Sequence, residues 1–352
     1  DYRIAQTVPT IEYLLARNCK VVIIAHLGRP NGKPDASCSL SVVAQRLHEL
    51  LPKVNIAFAK DCINDSAQLT VKKAKNGDVV ILENLRFHPG EEENDMEFAR
   101  SIAKTTKADY FVQDGFGVVH RAHASTDAIT YLLPSVAGLL LEREVVTLKA
   151  AMDAPKHPVT AIVGGAKISD KIDFIHKLLS IADTVLIGGA MANTFLAAMG
   201  TPIGLSRTED GQEEAVQAIM KKAKKDQIVL PVDVGVATSI SENATRRDIA
   251  VKDVAEKDYI LDLGSRTAKE FCAQLQASAT VIWNGTLGMT ELPQFATCSS
   301  AVAKALAGDS DVTSIIGGGD TADFVLDWQE HAKEKGVFTH ISTGGGASLE
   351  LM

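Results

Sequence analysis

Nothing in this sequence stays apolar for long enough to cross a bilayer, and its first residues carry no signal-peptide pattern. A membrane-spanning protein and a secreted precursor are therefore not expected. Cysteine is scarce and unordered: Cys19, Cys38, Cys62, Cys272 and Cys298 are odd in number, scattered, and form no CxxC pair. That pattern suits free thiols in a reducing cytoplasm. None has flanking glycines or a nearby histidine to mark it as a catalytic thiol. Positive charge is in deficit, with 36 Lys and Arg against 44 Asp and Glu and a net charge of −8. That balance argues against a general nucleic-acid binder. Low-complexity stretches and repeats of fixed period are also missing. What remains is a soluble globular chain, 46% hydrophobic and 23% charged, whose 352 residues allow two domains of ordinary size.

The most informative stretch is TAIVGGAKISDK, residues 160–171. A short apolar run suits a strand buried on both faces, and Gly164-Gly165 then permits a sharp turn and close approach to a ligand. Lys167 and Lys171 follow, four apart and so on one helical face if the helix has begun. A strand, glycines and lysines at a helix start can cradle phosphate on free N–H groups at the positive end of the helix dipole. The Gly-Lys-Ser/Thr ending of a P-loop is absent. An ordinary βα turn with solvated lysines would account for this stretch alone. The device recurs, however, in TVLIGGAMANTF (184–195), TSIIGGGDTADFV (313–325) and THISTGGGASLE (339–350). Four such turns would leave one sheet edge nearly bare of side chains, and ligands of open parallel sheets bind at the carboxyl ends of strands. A phosphate-bearing nucleotide accounts for that edge better than packing does.

Along the chain, a helix is expected over 8–17 with Pro9 in its first turn, a strand over 20–26, and an amphipathic helix over 39–51. Further strands are expected at 54–58, 78–83 and 109–113. A long helical segment, 138–152, ends at the proline-bearing DAPKHP. Beyond it, strands are expected near 159–163, 184–188, 228–233, 280–283, 312–316 and 338–342. Helices are expected near 166–180, 190–199, 209–224, 266–277, 297–307 and 320–335. Alternation of this kind implies α/β architecture with parallel sheets and right-handed crossovers, in two α/β domains joined by a linking helix. The domains are placed at 1–137 and 159–352, with the linking helix and hinge at 138–158.

The leading half ends its strands in His26-Leu27-Gly28-Arg29, then Arg86, then His120, Arg121 and His123, and Arg3 precedes the first helix. If the strands are parallel, these arginines meet on one rim. Their planar forks match phosphate or carboxylate, which points to a small polyanionic substrate. Singly, each arginine reads as a surface ion pair, and the histidines read as groups satisfying loop backbone. In the trailing half, Asp320 follows three glycines at a strand end. It reads equally as a magnesium ligand acting with substrate phosphates and as the N-cap of the next helix. Residues 317–322 also fit G-x-G-x-x-A, but Glu330 and Glu334 lie in a polar helix where a strand-end acid is expected, so a dinucleotide site is disfavoured. A half that binds anions and a half that binds nucleotide imply phosphoryl transfer, in which positioning and charge neutralisation do most of the catalytic work. A non-catalytic anion-binding protein is the alternative, and it gives no reason for a nucleotide cradle.

HLGRP (26–30), ENLRF (83–87), DGFGVVHRAHAS (114–125), VGGAKISDK (163–171), IGGAMANTF (187–195), WNG (283–285), GGGDT (317–321) and STGGGASLE (342–350) together resemble the phosphoglycerate kinase family, in family order along the whole chain. The resemblance implies two Rossmann-like domains with parallel sheets, joined by a linking helix across a cleft, and reversible transfer of the acyl phosphate of 1,3-bisphosphoglycerate to Mg-ADP, giving ATP and 3-phosphoglycerate. It implies a cytoplasmic enzyme of glycolysis, a monomer, with Mg²⁺ and ATP or ADP as its small partners and neither nucleic acid nor membrane. Arg3, His26, Leu27, Gly28, Arg29, Arg86 and Arg121 would hold the phosphoglycerate. Gly165, Lys167, Lys171, Gly188, Gly189, Asn284, Glu291, Gly318, Gly319, Asp320 and Thr321 would hold the nucleotide, with Asp320 on the metal and Glu291 on the ribose. Arg3, Lys167 and Gly345 would attend the transfer itself. Glu144 and His340 are expected to couple hinge motion to substrate.

The chain departs from the family pattern at Thr286, where proline is usual, at Thr290, where an aromatic is usual, and more mildly at Gly115, Val118 and Val119. The family also implies a strand with an Asp-x-Asn loop before the first helix and a closing tail after Met352. The sequence carries neither, reads as a piece of a longer protein, and is expected to have impaired activity as it stands.

Overall fold

The computed structural model describes residues 1–309, 311–332 and 336–352. The chain divides into two compact units, Asp1–Val145 and Val146–Met352. Each is a mixed α/β body built on parallel sheet.

The first unit carries β1 (Val21–Ile23), β2 (Ile56–Ala59), β3 (Val79–Leu82), β4 (Phe111–Gln113) and β5 (Ser135–Ala137). β3 lies between β1 and β2 in one parallel sheet, and β4 pairs with β5, also in parallel, in another. β3 is buried along its whole length. Alternation divides it between two cores: Val79 and Ile81 pack with Ile11, Leu47 and Leu51, while Val80 and Leu82 pack with Ala59, Ala67 and Val71. Each such aliphatic side chain contributes about 1.5–3 kcal/mol on burial, so this one strand anchors both faces. The five strands form two sheets, and these pack on different cores. Phe111 of β4 packs with Phe98, Ile102 and Ile129, away from the cluster under β1.

The first helix runs Tyr2–Leu15, so Pro9 lies in its interior and not in its first turn. Its apolar stripe begins earlier than expected, since Ile4 joins Val8, Ile11 and Leu15 on the same core. Packing of that stripe outweighs the one helical bond a proline removes. Helix Ser41–Leu50 matches the expected amphipathic segment. Helix Leu139–Asp153 straddles the division between the units. Its start is held by Asp114, whose Oδ1 accepts from the N–H groups of Leu140 (2.9 Å) and Leu141 (3.2 Å).

The second unit carries β6 (Val159–Val163), β7 (Thr184–Ile187), β8 (Ile228–Val229), β9 (Asp233–Ala237), β10 (Arg247–Ala250), β11 (Tyr259–Leu263), β12 (Thr280–Asn284), β13 (Thr313–Gly317) and β14 (His340–Ile341). Six form a parallel sheet in the order β14-β13-β12-β6-β7-β8. The chain winds outward from β6 to β8, then returns to the other side at β12, so the crevice between β6 and β12 is the topological switch point.

β9, β10 and β11 form a separate antiparallel sheet that the sequence reading did not anticipate, having run one strand over 228–233. Its aspartates cap neighbouring helices instead of continuing an apolar pattern. Asp233 accepts from the N–H groups of Arg266 and Thr267, and Asp262 from those of Thr297 and Cys298. The helix expected to reach 335 runs Gly319–His331, and its expected end at 333–335, with Glu334, lies outside the described residues.

Candidate functional site

In the first unit, the turns after β1 and β3 are tied to each other by two side chains. Asn84 accepts from Arg86 N–H through Oδ1 (3.0 Å) and donates from Nδ2 to the carbonyls of Leu27 (2.6 Å) and Cys38 (2.9 Å). Glu83 accepts from the N–H groups of Leu40 and Asn84 and from the Ser39 hydroxyl. Arg86 is thereby buried with its Nη1 on Gly28 O at 2.9 Å. Its Nε lies 3.3 Å from Glu92 Oε1 but is not aimed at it, leaving a buried N–H without a hydrogen-bond partner. Gly28, in the left-handed region at φ +66°, packs against Cys38, while Leu27 and Arg29 face solvent.

His26 shows what this arrangement does. Burial first, then the positive fields of Arg86, His123, Arg121 and Arg3, push its imidazole down to about 4. Arg86 in turn feels Arg121 and Arg29. Four arginines thus share one electrostatic neighbourhood, with Arg86 buried and Arg3, Arg29 and Arg121 exposed. At neutral pH the imidazole is uncharged, so the positive charge is carried by the guanidinium groups, and an anion seated among them would relieve their repulsion. His123 does not serve loop backbone through its ring. Its buried Nδ1 stands 3.8 Å from Glu91 Oε1 without a hydrogen bond, and Glu91 is itself held by Ser125.

In the second unit, the carboxyl edge of the six-stranded sheet is made of main chain packed on main chain. Gly164 N donates to Asn284 O, Gly165 N to Thr286 O, Gly188 N to Val163 O and Gly189 N to Leu287 O. A Cβ at Gly164 would meet Gly285 O at 2.7 Å, and one at Gly189 would meet Gly165 N at 2.6 Å. Packing alone therefore requires glycine at 164, 188 and 189, against the expectation that a ligand would be the main reason, whereas a Cβ at Gly165 would meet only Lys171 Nζ, at 3.4 Å. The other two turns differ. A Cβ at Gly319 would meet nothing within 4 Å, and Gly345 faces only the Gly319 backbone, at 3.8 Å or more. Glycine there keeps space open.

Lys171 spans the switch-point crevice, its Nζ 2.9 Å from Gly164 O and 3.3 Å from Asn284 O. Burial pulls the ammonium down to about 8, while the charges of Asp320 and Asp170 oppose the shift. Lys167 does not share a helical face with it. Residues Ser169–Lys171 form a 3-10 turn, the α-helix begins only at Ile172, and Lys167 lies before both, exposed. The N–H groups expected to be free at this turn are not all free either, since those of Ile168 and Ser169 donate to Glu209.

Asp320 is not an N-cap. Helix Gly319–His331 is preceded by Gly318 with no side-chain cap, and Asp320 stands exposed in the first turn, where the helix dipole favours its charge. Thr321 is buried, and its hydroxyl accepts from Gly285 N–H at 2.6 Å, so it braces the edge from beneath. Asn284 is buried beside Gly317 and Gly318, its Nδ2 without a partner. Glu291 is exposed in the loop after β12. No group of three or more His, Cys, Asp or Glu able to hold a metal exists among the described residues. A cation at this edge would therefore take fewer than three such side chains and depend on the ligand's own oxygens for the rest.

A sequence model of the family described as phosphoglycerate kinase matches residues 1–352. The chain belongs to the phosphoglycerate kinase family.

Among its relatives, the phosphoglycerate kinase of Pelotomaculum thermopropionicum is 44% identical over 357 aligned residues, covering all of this chain and 88% of that one. The enzyme of Chloroflexus aurantiacus is 43% identical with the same coverage. The solved structure of phosphoglycerate kinase from Coxiella burnetii matches with a TM-score of 0.81 at 36% identity, over 99% of this chain and 87% of that one. The structure from Pyrococcus horikoshii matches with a TM-score of 0.83 at 31% identity, with the same coverage. Membership in this family makes the chain a kinase.

Several residues that organise the two halves were not singled out in the sequence. Glu83 and Asn84 stand inside ENLRF, where only Arg86 drew notice, and Asp114 opens DGFG. Their signal was the motif itself, but their roles are bonds to backbone more than twenty residues away in sequence. Glu209, in a polar loop outside every motif, gave no signal at all.

Proposed function

We propose that this protein transfers the acyl phosphate of 1,3-bisphosphoglycerate to Mg-ADP, reversibly, as a monomeric cytoplasmic enzyme of glycolysis. The observation that carries the nucleotide assignment is Lys171 in the crevice between β6 and β12, with Asp320 near enough to influence it. Among the described residues, no helix is long and apolar enough to cross a membrane.

The phosphoglycerate would be held in the first unit by Arg3, Arg29, Arg86 and Arg121, with neutral His26 offering a hydrogen bond. The loop Leu27–Gly28 would supply backbone beside it. Bidentate guanidinium contacts suit both ends of such a substrate, its phosphate and its carboxyl group. In the second unit, Lys171 and Lys167 would meet the nucleotide phosphates. Gly318, Gly319 and Gly345 would leave room for them, and Asn284 would turn its unpaired amide N–H toward them. Gly165, Gly188 and Gly189 would line the base, and Glu291 would reach the ribose. Thr321 would act indirectly, by bracing Gly285. Bound through Asp320 and the phosphates, Mg²⁺ would neutralise charge on the transferring group. Arg3 in the first unit, and Lys167 and the Gly345 N–H in the second, would offset negative charge on the phosphoryl group, and each unit would orient its own ligand, which needs no protein nucleophile.

The test is turnover of ATP with 3-phosphoglycerate in a coupled assay. Lys171→Met and Asp320→Asn should each lower nucleotide use by about tenfold or more, as expected for lost charged contacts. Arg86→Met should instead raise mainly the KM for 3-phosphoglycerate. Full activity in the Lys171→Met, Asp320→Asn double variant would overturn the nucleotide assignment.

A further inference from the structure

Glu209 lies in the stretch between helices Gly189–Ala198 and Glu213–Lys222, outside every motif described above. Its Oε2 accepts from Ile168 N–H at 2.7 Å and from Ser169 N–H at 3.1 Å, and its Oε1 takes the Ser169 hydroxyl. Partial burial would push this carboxyl up. The Ser169 hydroxyl, the two N–H groups and the charge of Lys167 outweigh that and hold it below the usual range. The loop bearing Glu209 is anchored in turn. Glu209 N–H donates to Thr194 Oγ1 at 3.1 Å, and Arg207 O accepts from Asn193 Nδ2 at 3.1 Å, with Asn193 and Thr194 both buried.

The held residues are the ones from which the lysine turn springs. Lys167 immediately precedes Ile168, and Lys171 N–H closes the 3-10 turn on Ile168 O at 2.8 Å. Ile168 is locked into the core, whereas Lys167, Ser169 and Asp170 are exposed, so core packing secures only one residue of this segment.

We infer that Glu209 is a positioning residue for Lys167 and Lys171: it clamps the backbone at Ile168 and Ser169 and ties this turn to the helix that follows the second glycine turn. The inference rests on the nucleotide reading of that turn. It also means that the two clamped N–H groups are already occupied, so a phosphate arriving here would be met by the ammonium groups and not by those amides.

Calorimetry with ADP and amide hydrogen exchange, on wild type, Glu209→Ala and Glu209→Gln, test it. Glu209→Ala should speed exchange at Ile168 and Ser169 by about tenfold and weaken ADP binding about five- to tenfold, the scale of a lost charge-assisted hydrogen bond. Affinity for 3-phosphoglycerate should stay within about twofold, since the variant site lies in the other unit. Glu209→Gln retains an oxygen acceptor and should recover most of the ADP affinity. Wild-type ADP affinity in Glu209→Ala would overturn the clamp while leaving the nucleotide reading intact. So would equal losses for ADP and 3-phosphoglycerate accompanied by a lower Tm, which would mark a merely structural role. Absence of ADP binding by the wild type would sink the nucleotide reading itself.

Discussion

A lysine ammonium buried against two carbonyl oxygens is poised differently from one in water. At Lys171 the charged form is disfavoured by desolvation, so it begins to lose its proton near pH 8 instead of near the ordinary lysine value. Nucleotide phosphates need the charged form. ADP affinity is therefore expected to fall as pH rises from 7 to 9, by up to about tenfold across the transition. The same dependence should vanish in Lys171→Met, whose affinity is already low; calorimetry at several pH values checks both. The linked effect on stability has the opposite sign. Above pH 8 the folded protein has shed a proton that the unfolded chain still holds, so this group favours folding as pH rises toward its unfolded value. His26 is the counterpart in the other unit. Its value near 4 keeps it neutral through the physiological range, so titration of His26 in the free enzyme should not alter phosphoglycerate affinity between pH 6 and 8.

Glycine-rich turns look alike in sequence but are required for two different reasons. After β6 and β7, Gly164, Gly188 and Gly189 leave no room for a methyl group, whereas after β13 Gly319 opens on space. A pair of substitutions separates the two. Gly164→Ala should lower stability by about 1–3 kcal/mol through overpacking, read from denaturant unfolding. Gly319→Ala should fold normally, because its Cβ meets nothing within 4 Å, yet bind ADP less well because the methyl group enters the phosphate space. Equal stability losses in both would contradict the distinction. The motif strings showed that the turns exist, but not which glycine is structural, because that depends on how closely Gly164 and Gly285, 121 residues apart in sequence, approach in space. The antiparallel sheet β9–β11 was missed for a related reason. Its strands carry Asp233 and Asp262, whose purpose is to cap helices from other parts of the chain, and this breaks the apolar pattern on which strand reading relies.

Each unit has its own cores, and on the proposed reading each takes a different ligand, so ligands should leave separate footprints. In hydrogen exchange, ADP is expected to slow amides around Gly164–Lys171 and Gly317–Asp320 within Val146–Met352. 3-Phosphoglycerate is expected to slow those around His26–Arg29 and Leu85–Phe87 within Asp1–Val145. Protection by ADP confined to the first unit would reverse the assignment of halves.

By itself the sequence determined the α/β class, the succession of most strands and helices, and the family, because apolar periodicity and short motifs are local and survive without coordinates. Tertiary structure decided which of the motif residues come together: Arg3, Arg86 and Arg121 act on one neutral imidazole, with Arg29 beside Arg86, and a lysine lies across the crevice between β6 and β12. It also exposed supports that no motif marks, Glu209 among them, and showed Thr321 buried with its hydroxyl accepting from Gly285 N–H. The physical reason is that charge, burial and hydrogen bonding act between groups brought close by folding, and their sequence separations of tens of residues leave no periodic trace in the chain.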